Sequence, residues 1–289
     1  MNRFPKIRTG WKFFWFFFVL WAIAFLFIFF APFTHAAQDT PPPGYHLVWQ
    51  DDFSKDPDGP PNPQWWNYEV GFVRNHEEQF YTKDRLENCR VEHGQLIIEG
   101  RKETYSPPWS KPDAPIVAKY TSASIRTTGK FAWQYGRLEV KAKLPAGAGV
   151  WPAIWGCGID GKQVGWPRCG EIDIMELVGK QPNVIHGTMH YFVDGKHASK
   201  GQELPIPGTD TAFHIYVAER TADRIDLFVD DKKIISFDTA QAVTDGHNPF
   251  QQPFDVILNL ALGGSWGGKI DDAIFPQRMT VAYVRFYQK

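Results

Sequence analysis

Three carboxylates lie within six residues of the segment GEIDIMELVG (170–179): Glu171, Asp173 and Glu176. In a β-strand alternate side chains point to opposite faces, so Glu171 and Asp173 share a face while Glu176 would point away from it. One extra residue, a β-bulge at Ile174–Met175, would return Glu176 to that face, and bulges often re-aim side chains beside active sites. The spacing therefore predicts a bulged strand that presents the three acids together.

Acids held this close suit one kind of chemistry in particular. Neighbouring negative charges repel, so one of the carboxyl groups keeps its proton to a higher pH. Cleavage of a glycosidic bond needs one ionised carboxylate and one protonated carboxylic acid on opposite sides of the bond. Two other interpretations fit the same residues: acids on a solvated outer strand, and a calcium site of three carboxylates. The spacing alone leaves all three open.

The segments that must position these acids have the pattern of short β-strands. YGRLEVKAKLP (135–145) alternates apolar and charged residues, and RIDLFVDDKKIISF (224–237) predicts a hairpin around Asp230–Asp231. FDVILNLALGG (254–264) and TVAYVRFYQ (280–288) predict further strands, and Pro and Gly occupy most of the gaps. Many short strands at regular spacing favour an all-β sandwich or barrel.

Residues 1–37 differ in composition from the rest of the chain. A basic start precedes an uncharged apolar run at 13–33, and small residues follow at 34–38. This order is typical of a secretory signal peptide, while the apolar run is also long enough to span a bilayer. We expect an N-terminal apolar helix, either a cleaved signal or a retained membrane anchor. Both export the remainder, which would be secreted, periplasmic or anchored to the cell membrane.

A short Pro-rich linker follows at 38–46, and residues 47–289 have the length of one large all-β domain. Beyond the leader and its four basic residues, 27 Lys and Arg stand against 32 Asp and Glu, a net charge of −5. Nucleic-acid binding would require a basic face, so we expect no such partner. Nine of the 12 Trp lie beyond the leader, and aromatic rings line sugar-binding clefts, although most Trp in any domain belong to its core.

Three cysteines occur, at positions 89, 157 and 169. Export would permit one disulfide between two of the three residues Cys89, Cys157 and Cys169, and the sequence leaves all three pairings open. No CxxC motif or close Cys/His pair indicates a metal site.

Six segments of the sequence carry a joint pattern: GEIDIMELVG, GVWPAIWGCG, NHEEQFYT, KFAWQYGRLEVKAKLP, IHGTMHY and NLALGGSWGG. Together they closely resemble glycoside hydrolase family 16, in its laminarinase-like branch. The resemblance extends from about Trp49 to Tyr287. It implies a jelly-roll β-sandwich of two antiparallel sheets with a concave sugar-binding cleft.

The resemblance also implies roles for individual residues. Glu171 would be the nucleophile and Glu176 the general acid/base, while Asp173 would assist Glu171. Eight further residues match positions that bind substrate in the family, with Trp151 equally compatible with a place in the core. They are Trp155, Trp166, His190, Trp151, Trp266, Asn75, Glu77 and Gln79.

The sequence departs from the family pattern at three positions. Ala282 replaces an Asp that often binds a structural calcium ion, which puts such an ion in doubt. Arg220 stands where Trp is usual, and Glu78 stands where an apolar residue is usual. None of the three is one of the predicted catalytic carboxylates.

The sequence therefore predicts an exported, monomeric endo-β-1,3-glucanase that acts on laminarin-like polysaccharide with retention of configuration and without a cofactor. Two alternatives remain open. The same fold could act on another β-glucan or galactan, or as a transglycosylase, because loop shape decides specificity. A non-catalytic β-glucan-binding protein on this fold would typically lack the two Glu.

Overall fold

β-Strands make up nearly all the regular structure in the computed structural model, which describes residue 1 and residues 40–289. The predicted apolar helix of the leader lies outside these residues. Within them, no helix has the length and apolar character that a membrane crossing requires. Residues Pro43–Lys289 form one compact unit.

The larger sheet has ten strands, in the order β15-β14-β13-β8-β17-β5-β6-β3, with β1 paired to β17 and β4 paired to β5. Its strands are β1 (His46–Asp51), β3 (Gln79–Tyr81), β4 (Cys89–Glu92), β5 (Gln95–Tyr105), β6 (Ala118–Ser122), β8 (Gly136–Lys143), β13 (His214–Arg220), β14 (Arg224–Val229), β15 (Lys232–Asp238) and β17 (Gln277–Gln288).

The smaller sheet has seven strands, in the order β12-β11-β10-β9-β16-β7-β2. Its strands are β2 (Asn67–Tyr68), β7 (Ser124–Arg126), β9 (Val150–Cys157), β10 (Glu171–Glu176), β11 (Val184–Val193), β12 (Lys196–Pro205) and β16 (Ile257–Leu262). Two one-turn α-helices, Gly161–Val164 and Gly264–Gly267, lie in loops, as do the 3₁₀ turns Thr239–Ala242, Pro249–Gln251 and Asp272–Ile274.

The hydrophobic core lies between the two sheets, because each sheet contributes its apolar face to one cluster of buried side chains. In β8 the predicted alternation is confirmed: Leu138, Val140 and Ala142 are at most 1% exposed. The predicted hairpin is confirmed as well, with β14 and β15 joined at Asp230–Asp231. The result is the predicted all-β sandwich, which matches the jelly-roll fold.

The prediction of purely antiparallel sheets is wrong at one pair, since β3 and β6 run parallel. The β4–β5 hairpin lies between them in the chain, and β6 pairs antiparallel with β5. The two reversals bring the chain back in its original direction beside β3.

The family usually has Trp at the position of Arg220. Arg220 is the last residue of β13, and its cationic side chain is buried, at 2% exposed. Its guanidinium stacks on the rings of Trp133 and Phe254, at 4.7 and 4.5 Å from their centroids. Its Nη2 donates to the carbonyl oxygens of Phe250 and Gln252, each at 2.9 Å. Burial lowers its pKa to about 9. This arginine fills an aromatic slot that a large apolar side chain would also fill.

Candidate active site

The acid strand β10 contains the predicted bulge. Between Asp173 and Glu176 it advances three residues while β11 advances two, from Thr188 to His186. The register against β9 shifts at the same place. The consecutive residues Ile174–Met175 are both buried in the core, at 1% exposed or less. Because two consecutive side chains point into the core, Glu176 points outward, to the face that carries Glu171 and Asp173.

The outer face of the seven-stranded sheet forms a cleft of about 450 Å³ that all three acids line. Glu171 is 17% exposed, Asp173 is 4% exposed, and Glu176 is half-buried. Cleft-facing residues of β9 run beside the acids, because Glu171 pairs with Cys157 and Asp173 with Trp155. The bulge thus places the acids along the floor of a groove rather than on a solvated strand.

Asp173 lies between other acidic groups. Burial raises the pKa of Asp173 well above its usual value, and the charge of Glu171 and a hydrogen bond between the two carboxyl groups act in the same direction. A proton held between Asp173 and Glu171 explains how two carboxyl groups can approach this closely. Nε2 of His190 lies 3.1 Å from Oδ2 of Asp173 and 4.0 Å from Oε1 of Glu171.

Glu176 also favours its protonated form. Burial raises the pKa of Glu176 well above its usual value, and the charges of Asp173 and Glu171 raise it further. The indole Nε1 of Trp151 donates to Oε1 of Glu176 at 2.9 Å, and this bond and His190 oppose the shift. The shift favours the protonated form of Glu176, which is the form that a general acid needs before bond cleavage.

The tryptophans around the acids are fixed by hydrogen bonds. Trp166 is 54% exposed, and its Nε1 donates to Oε2 of Glu171 at 2.9 Å. Trp155 donates to Oδ1 of Asn259 at 2.7 Å, and the Arg74 guanidinium lies 4.9 Å from the centroid of its ring. Both rings line the cleft, where an indole face can stack on a sugar ring.

Trp151 is 8% exposed and packs edge to face against Trp266, with 5.4 Å between ring centroids. It is therefore largely buried, and it both lines the cleft and contacts Glu176. Trp266 is half-buried and also contacts the ring of His186, but it is not among the residues that line the described cavity. We place it behind the Glu176 side of the groove.

The predicted polar block divides into residues that reach the cleft and one that does not. Asn75 and Glu77 line the cavity. Gln79 is fully buried, donates from Nε2 to Oε2 of Glu77 at 2.7 Å, and accepts a hydrogen bond from the Leu262 amide at 2.7 Å. A direct contact between Gln79 and substrate is thus excluded by its burial, and Gln79 holds Glu77 instead. Glu78 is exposed beside this block.

Sequence reasoning missed an ion network at the cleft. Arg126 lies between two carboxylates, 3.2 Å from Oε1 of Glu69 and 2.6 Å from Oδ2 of Asp255. Glu69 also pairs with Arg74. The three residues Glu69, Arg74 and Arg126 line the cavity and give it polar groups of both signs. All three residues come from loops or strand ends, where periodicity offers no signal.

Asn259 and His197 were also missed, although each had a signal. Asn259 is the one polar residue in the apolar strand β16, is 4% exposed, and donates from Nδ2 to the Tyr81 hydroxyl at 3.0 Å. His197 follows the dipeptide Asp194-Gly195, which joins β11 and β12 with both residues at positive φ. Such a two-residue turn sets the register of a hairpin and so brings His197 diagonally opposite His190.

Cys157 and Cys169 are brought together beside the acids, and all three cysteines are free thiols. A hydrogen bond to Cys169, burial and the nearby charge of Glu171 raise the pKa of the Cys157 thiol. Its Sγ lies 3.7 Å from Oε2 of Glu171. Cys89 is 1% exposed and lies in the ten-stranded sheet, away from this pair.

Within the described residues, one group of three potential metal-ligand atoms comes together within 4.8 Å, from Glu171, Asp173 and His190. The hydrogen bond between the two carboxyl groups already accounts for their approach by means of a proton. We therefore assign this group to acid–base chemistry.

A jelly-roll sandwich that gathers carboxyl groups of raised pKa along an aromatic and polar groove has the architecture of a glycoside hydrolase. The family model for the glycosyl hydrolases of family 16 matches residues 76–285, and the chain belongs to that family. It is 43% identical over 260 residues to a β-glucanase of Rhodothermus marinus, which covers 85% of this chain and 86% of the relative.

Two solved structures share the fold. One is a single-residue mutant of SCLam, a non-specific endo-β-1,3(4)-glucanase, co-crystallised with 1,3-β-D-cellotriosyl-glucose and presenting a 1,3-β-D-cellobiosyl-glucose at its active site. It is 41% identical with a TM-score of 0.76, and the match covers 86% of this chain and 97% of that one. An endo-acting O-glycanase from human gut bacteria, linked to mucin breakdown, is 37% identical with a TM-score of 0.78 and coverages of 86% and 92%.

Proposed function

We propose that this enzyme hydrolyses internal β-1,3-glucosidic bonds in laminarin-like glucans with retention of anomeric configuration. The observation that carries the proposal is the bulge in β10, which puts Glu171 and Glu176 on one face of the cleft floor. The similarity to SCLam supports a β-1,3-linked glucan as the substrate.

In the proposed mechanism Glu171 attacks the anomeric carbon and forms a covalent glycosyl-enzyme. Glu176 donates its proton to the leaving glycosidic oxygen, and the raised pKa of Glu176 favours the protonated form that this step needs. After the leaving group departs, Glu176 is an anion beside the anomeric centre. It then takes a proton from the incoming water, which releases the sugar from Glu171.

Asp173 assists this cycle through the proton it shares with Glu171. While Glu171 carries negative charge, the protonated Asp173 donates a hydrogen bond to it. Once the sugar is bonded to Glu171, the negative charge of Glu171 is lost. The hydrogen bond that Asp173 donates to Glu171 is then weaker. Asp173 thereby keeps the total charge of this buried pair near −1 before attack, which limits the repulsion that Glu176 experiences.

The aromatic and polar residues of the groove bind the glucan chain. Trp155 and Trp166 offer indole faces to glucose rings, and Asn75 and Glu77 offer hydrogen-bond partners to sugar hydroxyls. A groove lined in this way accepts a chain along its length, which fits an endo-acting enzyme.

A panel of polysaccharides with product sizing tests the proposal. We expect laminarin to yield short oligosaccharides of mixed length early in the digest, and mixed-linkage glucan to be the next best substrate. Release of oligosaccharides only from galactans or mucin O-glycans would contradict the proposed substrate. Longer products that accumulate beyond the length of the added chains would indicate transglycosylation.

Two variants test the assigned acids in the same assay. We expect Glu171→Ala and Glu176→Ala to reduce laminarin turnover by at least about 10³-fold, since each removes an obligatory group. Glu87→Ala is the matched control, because Glu87 is 56% exposed on a loop and forms an ion pair with Arg85 at 3.6 Å. Activity near wild type in either cleft variant would contradict the assignment.

We also propose that the leader exports the catalytic domain and that the domain acts as a monomer. N-terminal sequencing of the mature protein distinguishes the two fates of the leader. A start near Ala37 means a cleaved signal, and an intact N-terminus in the membrane fraction means an anchor. Light scattering of the isolated protein gives the oligomeric state.

A further inference from the structure

His197 lies on the edge strand β12 and contacts two side chains of the cleft. Its Nε2 is 2.9 Å from Nδ1 of His190, and the two imidazole rings are nearly parallel, with 5.1 Å between centroids. Its ring also contacts the indole of Trp166, at 4.7 Å between centroids. His197 thus bridges a residue of β11 and the loop that precedes β10.

Both partners of His197 contact Glu171. Nε1 of Trp166 donates to Oε2 of Glu171 at 2.9 Å, while Nε2 of His190 lies 4.0 Å from Oε1 of the same carboxyl group and 3.1 Å from Oδ2 of Asp173. His197 therefore contacts both His190 and Trp166, and these two side chains lie on either side of the proposed nucleophile Glu171.

The direction of the histidine hydrogen bond follows from the charges on either side. The Nε2 atom of His190 faces two carboxyl groups, so this nitrogen should carry a hydrogen. If His190 is neutral, its Nδ1 is then an acceptor and needs a donor, which Nε2 of His197 supplies. Nδ1 of His190 and Nε2 of His197 cannot both carry a hydrogen at this distance, because the two N–H groups would point at each other.

The charged groups around His197 agree with a neutral ring. Burial lowers the pKa of His197, and a proton on His190 would lower it further, while the more distant Glu171 raises it. A positive charge on His197 is therefore disfavoured, and the acids of β10 favour keeping the hydrogen of His190 on its Nε2.

We infer that His197 is a positioning residue for catalysis: its hydrogen bond fixes the tautomer and angle of His190, and its ring supports Trp166, so that Glu171 is held for attack. The inference rests on the proposed function, because it requires Glu171 to be the nucleophile. Because the hydrogen bond of His197 acts on Glu171 through His190, its loss should appear in the chemical step rather than in substrate binding.

Two variants of His197 separate the effect of its hydrogen bond from the effect of its ring, and a third variant is the control. His197→Gln keeps a donor near the Nε2 position without the ring, and His197→Phe keeps a ring against Trp166 without a donor. We expect Phe to lower kcat on laminarin about 10-fold with little change in KM, and Gln to restore most of that loss. His46→Phe makes the same substitution at an exposed position of β1 and should leave both parameters unchanged.

A second readout does not depend on turnover. The ¹⁵N chemical shifts of the His190 imidazole report which nitrogen is protonated. We expect the Nε2–H tautomer in the wild type and in His197→Gln, and a mixture of tautomers in His197→Phe. The melting temperature of each variant shows whether the fold is retained.

The outcomes can be told apart from those of the proposed function. Wild-type kcat and an unchanged His190 tautomer in a folded His197→Phe protein would overturn the inference. Equal losses in the Phe and Gln variants would overturn the role of the hydrogen bond. Absence of laminarin hydrolysis by the wild type would instead contradict the proposed function, and the tautomer measurement would still test the contact.

Discussion

Trp151 donates a hydrogen bond from its indole Nε1 to Oε1 of Glu176 at 2.9 Å. The indole is 8% exposed and is packed against Trp266, so it shields one side of the carboxyl group from water. The bond stabilises the ionised form, whereas burial and the charges of Asp173 and Glu171 stabilise the neutral form more strongly. Glu176 is thus both oriented and kept protonated, as a general acid requires.

The raised pKa of Glu176 predicts a pH-dependent cost in stability. Because the folded-state pKa lies above the unfolded value of 4.5, the free energy of unfolding falls as pH rises above about 4.5, until the folded pKa is passed. Glu176→Gln removes this cost. We expect the variant to be more stable at pH 7 by about 1 kcal/mol, or about 2–4 °C in Tm, and the gain to vanish at pH 4.

Thermal unfolding at both pH values, followed by circular dichroism, checks this prediction. Glu87→Gln on the surface loop is the control and should show no such difference. A Glu176→Gln protein that is less stable than the wild type at pH 7 would mean that the carboxylate is ionised and well paired in the native state.

Trp166 has two proposed roles, a hydrogen bond to Glu171 and a stacking surface for the sugar, and two variants should separate them. Trp166→Phe removes the hydrogen bond to Glu171 but keeps an exposed ring, so we expect kcat to fall several-fold with KM little changed. Trp166→Ala also removes the stacking surface, which is worth about 1 kcal/mol, and should raise KM by about 5-fold in addition. Equal KM values in the two variants would exclude sugar stacking at this position.

Arg220 predicts a loss of stability without a change in chemistry. Arg220→Ala leaves a cavity between Trp133 and Phe254 and leaves the carbonyls of Phe250 and Gln252 without donors. We expect about 3 kcal/mol of lost stability, measured by urea unfolding. Arg220→Trp should recover much of it because an indole fills the aromatic slot. A fall in kcat of the folded Ala variant at low temperature would contradict a purely structural role.

The cysteines predict slow reactivity in the folded protein. Cys89 and Cys169 are at most 2% exposed, which limits the access of a reagent, and the pKa of the half-buried Cys157 thiol is raised, so little of it is ionised at pH 7. We expect Ellman's reagent to react slowly with the native protein and to count three thiols after denaturation. A count of one would reveal a disulfide, and the position of Cys157 beside Cys169 identifies that pair.

Sequence reasoning predicted the acid cluster because a strand's period of two is strict. With Ile172 and Ile174 pointing inward, an additional buried Met175 can be accommodated only by a bulge, so the direction of Glu176 follows. The sandwich could be predicted from the same alternation in β8 and β14. The parallel pair β3–β6 could not, because it depends on how the intervening hairpin folds back.

The site's supporting residues were harder to assign for a related reason. In NHEEQF the polar residues lie near a strand end, where tertiary contacts decide which of them is buried. Gln79 is buried because it bridges Glu77 and the Leu262 amide, partners 2 and 183 residues away. Long-range contacts of this kind leave no periodic signal in the sequence. The role of Arg126 between Glu69 and Asp255 was missed for the same reason.

The configuration of the azide product from Glu176→Ala tests the assigned roles most directly. The variant should still form a glycosyl-enzyme on Glu171 from an aryl β-laminaribioside, whose leaving group needs no acid, and azide should then attack that intermediate. We predict a β-glycosyl azide by proton NMR, and none from Glu171→Ala. An α-glycosyl azide from Glu176→Ala would contradict the account, because it would show direct displacement without a covalent intermediate on Glu171.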